Sequence, residues 1–87
     1  MLEEFRTEID EMDAEIASLL NRRAAVVKAL WEWKKEHGLE FIDSKREQEI
    51  FERVRASSVG GLSPEALQRI FQIILDESKP PSDQNKL

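Results

Sequence analysis

Apolar side chains at Phe5, Ile9, Met12, Ile16, Leu19, Val26, Leu30 and Trp33 recur at alternating steps of four and three. That spacing lays a single stripe along an α-helix. One stripe position, Arg23, is charged. Residues 3 to 36 contain no glycine or proline, so the pattern predicts one helix of about nine turns, roughly 50 Å long, stopped at Gly38. A spacing of 3.5 residues favours packing against a similar helix over burial in a short chain of its own. The pattern therefore predicts a dimer.

Two shorter helices follow. Asp43 or Ser44 caps the second, since Glu47 stands three residues after Ser44 and side chains so spaced satisfy the first amides of a helix. It is expected to run to about Ser57, with Arg46 or Glu47, Ile50, Phe51 and Val54 on its inward stripe. SSVGGLSP reads as a turn. Ser63 then caps a third helix with Pro64 at its first position, where a missing amide costs nothing. Leu67, Ile70, Phe71, Ile74 and Ser78 share a face, and Pro80 with Pro81 ends the helix. The expectation is an all-α chain of three helices with a long first one, forming an intertwined homodimeric bundle. Residues 1–79 form the domain, and 80–87 are expected to be a disordered tail.

The chain has 87 residues and no cysteine. That leaves room for one domain with neither disulfides nor thiolate metal sites, and the compartment expected is a reducing cytoplasm. A single histidine, His37, argues against a zinc site. No long apolar run occurs, and the N-terminus is acidic and amphipathic, so neither a membrane span nor a secretory signal is expected. The net charge of −5 argues against nucleic acid, whose phosphates demand a positive field. No glycine-rich phosphate loop or nucleophile elbow is present.

Against that acidic background the inward-facing cations stand out. A guanidinium does not shed its proton, and a charge taken out of water without a partner costs several kcal/mol, so Arg23 needs an anion. It could pair with an acid of another helix, or it could bind a ligand. Lys34 lies eleven residues on, about 16 Å along the same face. Arg46 and Glu47, with Asp43 before them, could be an ordinary charged helix start. Taken together, three cations from two helices suggest a small anion with more than one carboxylate. Trp31 and Trp33, at helical spacing, read as core or interface, and His37 as a partner of the helix dipole.

Across residues 3 to 78 the pattern resembles the all-helical, AroQ-type chorismate mutase family. FRTEIDEMDAEIASLLNRRAAVV looks like the family's first helix, Lys34 falls where its lysine follows, DSKRE at 43 to 47 is similar to its second motif, and FQIILDES closes the match. The resemblance implies a Claisen rearrangement of chorismate to prephenate, with no cofactor. It implies that Arg23 and Arg46 bind substrate carboxylates, that Lys34 touches the ether oxygen and a carboxylate, and that Glu47 accepts from the ring hydroxyl. Asp43 would lie near that hydroxyl and Ser78 beside a carboxylate or ring edge.

Arg6 would enter from the other protomer. It stands 28 residues before Lys34, roughly 40 Å along a straight helix, so one small molecule cannot touch both from one chain. Each pocket is then expected to be shared across the dimer. One position departs from the family: where a glutamine or glutamate usually shares the ether oxygen, this chain has Ser82, behind two prolines. Two other readings follow. The same scaffold serves isochorismate pyruvate lyases, and the interrupted third helix suits a non-catalytic or partner-activated module with an activating partner enzyme.

Overall fold

The computed structural model describes residues 1–81. Its three helices are α1 (Leu2–Glu36), α2 (Ser44–Ala56) and α3 (Pro64–Glu77), within a residue or two of the bounds read from the sequence. No helix among the described residues is long and apolar enough to cross a membrane. The expected tail falls mostly on residues 82–87, which lie outside the described residues.

Each helix end has a local cause. At the end of α1, Gly38 takes φ +68°, a conformation an L side chain resists. Its N–H bonds to the Lys35 carbonyl at 3.3 Å while Leu39 N–H reaches the Lys34 carbonyl at 2.8 Å. These two bonds satisfy the last carbonyls of α1 and turn the chain back on itself. Asp43, rather than Ser44, caps α2: its Oδ1 accepts from Arg46 N at 3.1 Å. Ser63 caps α3, accepting from Ala66 N at 3.0 Å.

α2 and α3 pack against each other. Arg55 fastens the pair, donating to Gln68 Oε1 at 2.8 Å and lying 3.6 Å from Glu65. α1 extends past both, and the molecule measures 55 × 24 × 23 Å. The consequence lies in its stripe. Phe5, Ile9, Met12, Ile16 and Leu19 each leave half or more of their surface exposed, and no described residue is fully buried. Among the described residues nothing is set against the N-terminal half of α1.

Candidate active site

The C-terminal half of α1 has neighbours. The turn after Glu36 brings residues 39–43 back along the helix, and Lys34 Nζ donates to the Phe41 carbonyl at 3.1 Å. The same ammonium stands 5.5 Å from the centre of the Phe41 ring, within range of a cation–π attraction. An ammonium has three protons, so this anchor fixes its direction and leaves donors for a ligand.

The Asp43 cap sets the start of α2 and with it the placement of Arg46 and Glu47. Its side chain accepts from Arg46 N, and its carbonyl accepts from Glu47 N at 3.0 Å. Both residues face the same cavity as Lys34 and Arg23, a space of about 310 Å³, within the size range of small-ligand pockets. Val27, Leu30 and Ile50 form its apolar wall. The end of α3 and the residues just after it close another side with Leu75, Ser78 and Lys79. Ser78 Oγ donates to the Ile74 carbonyl at 2.6 Å.

Arg23 is the electrostatic centre of the site. Its Nη1 is buried and has no hydrogen-bond partner among the described residues. Loss of solvent first, and then the nearby positive charge of Arg46, lower its pKa. The alternative of an ion pair with an acid of another helix is not realised among the described residues. Two like charges pressed together beside an apolar wall form a site for an anion.

Arg23, Lys34, Asp43, Arg46, Glu47 and Ser78 thus meet at one cavity. Arg6 does not join them. It is exposed on the first turns of α1 and paired with Glu3 at 3.0 Å. Ser82 lies outside the described residues. Trp33 is half exposed and stacks on His37 with ring centroids 4.1 Å apart, away from the cavity lining. The residue-by-residue reading missed Phe41 and Lys79. The apolar residues Leu39, Phe41 and Ile42 in the connecting segment LEFIDS were a signal for Phe41; Lys79, past the end of a helix, carried none.

Fold and cavity define an all-helical protein with a site suited to a small polyanion. The chain belongs to the family described as chorismate mutase type II, which matches residues 5–80. It is 42% identical over 78 residues to a bifunctional chorismate mutase/prephenate dehydratase of Aquifex aeolicus, covering 85% of this chain and 22% of that protein. The chain thus spans about a fifth of that relative. It is 33% identical over 79 residues to a chorismate mutase of Methanocaldococcus jannaschii, covering 90% of this chain and 80% of the relative. Among solved structures, chorismate mutase (form I) from Thermus thermophilus superposes with a TM-score of 0.85 at 29% identity, covering 90% of this chain and 98% of that one.

Proposed function

We propose that the chain rearranges chorismate to prephenate as a homodimer whose two cavities are each completed by the other protomer. The observation that carries this reading is the meeting of Arg23, Lys34 and Arg46 at one cavity, with a buried guanidinium nitrogen that no group of the described residues satisfies. A dicarboxylate supplies what is missing.

The reaction breaks a carbon–oxygen bond as a carbon–carbon bond forms within one molecule, and it needs no acid, base or nucleophile. A protein can accelerate it by holding the substrate in its compact conformer and by placing positive charge where the ether oxygen gains electron density. Arg23 and Arg46 hold carboxylates that are charged throughout. Lys34, aimed by its bond to Phe41, acts on charge that grows toward the transition state, the one kind of contact that lowers the barrier. Glu47 accepts from the ring hydroxyl, Asp43 keeps the first turn of α2 in place near it, and Ser78 borders the substrate from α3.

The exposed stripe of α1 supports the dimer. A second copy packed antiparallel covers that stripe and carries its own Arg6 toward this chain's cavity. Mixing tests the shared site. Arg6→Ala and Arg23→Ala homodimers are each expected to be inactive, while their heterodimer has one intact cavity, so a freely exchanged equimolar mixture recovers about a quarter of wild-type turnover. No recovery after demonstrated subunit exchange would refute shared sites. Incubation with chorismate and isochorismate separately tests the reaction: prephenate from the first supports the mutase, and pyruvate from the second supports a lyase. The end of α3 at Glu77, ahead of Pro80, favours a second reading in which a partner enzyme orders this end and raises a low basal rate.

A further inference from the structure

A second cavity of about 310 Å³ adjoins the first and shares Arg23 and Arg46 with it. Arg53 of α2 brings a third guanidinium to it, beside the apolar Ile50, Val54 and Phe71, and none of its lining residues is acidic. Arg53 is exposed, and its side chain makes no hydrogen bond or ion pair among the described residues. Nothing in the substrate reading uses this cation.

The two cavities also give the course of α2. The first gathers Val26, Leu30 and Lys34 of α1 with the start of α2, and the second gathers Arg23 with residues 46–57, so α2 runs opposite to α1. A second copy of α1 packed antiparallel on this one therefore runs the same way as α2. With the partner's Arg6 brought to the first cavity, level with Arg46, equal steps along the two helices stay level. Seven residues on, roughly 10.5 Å, stand the partner's Asp13 and this chain's Arg53. Seven residues also fall only about 20° short of two full turns, so Arg6 and Asp13 share one flank of the apolar stripe. Asp13 is likewise exposed and unpaired among the described residues. The first twenty residues carry seven acids against the single cation Arg6, the sign that a cavity of three guanidiniums attracts.

We propose that the second cavity is the seat of the partner's α1, where the partner's Asp13 pairs with Arg53, once in each half of the dimer. This rests on the antiparallel dimer proposed above. The pair sets the register that carries Arg6 to the first cavity, and Arg53 itself does not touch the substrate.

The test is sedimentation equilibrium of the purified chain in low-salt buffer, with helical content checked by circular dichroism. Arg53→Glu and Asp13→Arg are each expected to raise the dimer Kd at least about tenfold, because two equivalent contacts lose a pair and gain a like-charge one. Arg53→Gln, which removes the pair without repulsion, raises it about threefold. A chain carrying both Arg53→Glu and Asp13→Arg returns to within about threefold of wild type, since opposite charges meet again. Glu11→Arg with Arg53→Glu makes the same change of charge from a position about 160° round α1 from Asp13 and does not restore the dimer. Single variants that leave Kd unchanged, or recovery by Glu11→Arg as complete as by Asp13→Arg, overturn the pair. A folded wild type that is monomeric at every concentration overturns the dimer on which the pair rests.

Discussion

Replacing Arg23 by leucine separates a charge kept for function from a charge kept for the fold. Its Nη1 is buried without a partner among the described residues, and a buried unsatisfied donor costs about 1–3 kcal/mol. Arg23 as a whole is only partly buried, so the lower figure applies, and the neighbouring Arg46 charge adds to the cost. Leucine removes both penalties and packs beside Val27 and Leu30. The expected gain is about 1 kcal/mol, or about 4 °C in Tm for a domain of this size.

The pH dependence follows from the lowered pKa. In the folded protein the charged form is disfavoured relative to the unfolded chain, and this cost is fully present at every pH below the folded pKa. A guanidinium keeps its proton throughout the range in which the protein is handled, so the cost does not vary with pH there. The Tm difference between Arg23→Leu and wild type is therefore expected to be constant between about pH 6 and 9. The assay is thermal melting by circular dichroism at fixed protomer concentration in a buffer without multivalent anions, paired with chorismate turnover, which is expected to fall at least about a hundredfold. A variant that melts several degrees lower while keeping its turnover would show Arg23 to be a structural residue.

Lys34→Ala is expected to lower kcat by about two to three orders of magnitude with a smaller rise in KM, because its contact strengthens toward the transition state; near-normal kcat in stopped-flow or steady-state assays would contradict that role. Asp43→Ala removes the α2 cap and is expected to cost about 1 kcal/mol in urea melts and also to impair turnover, since Arg46 and Glu47 lose their placement. Ser63→Ala removes the α3 cap at a similar cost in stability, about 1 kcal/mol, with turnover retained. Ile16→Glu places a charge on the exposed stripe of α1 and is expected to yield monomers by analytical ultracentrifugation; an intact dimer would move the interface elsewhere.

The helices were legible because each carries its own signals: an unbroken α1 ending at a glycine, and α3 opened by Ser63 and Pro64. The choice between Asp43 and Ser44 as cap was not legible, since both side chains can accept from the first turn and only backbone geometry decides between them. Much of the site was legible for the same reason as the stripe. Arg23 broke an apolar period, and Arg46 or Glu47 opened the inward stripe of α2. Phe41 and Lys79 lie outside any period, in segments whose paths are set by the Gly38 turn and by Pro80. Helical spacing says nothing about where such side chains go. The exposure of Phe5, Ile9 and Met12 has a related cause: the period marks a face to be covered but does not name what covers it.

The most direct measurement is the conversion of chorismate by the purified chain, followed as loss of chorismate absorbance with the product identified by chromatography. Stoichiometric prephenate is expected, with turnover lost in Lys34→Ala while that variant keeps its helical content and assembly state. A folded dimer that leaves chorismate unchanged, or a Lys34→Ala variant that converts it as fast as wild type, would contradict the proposed catalysis at this cavity.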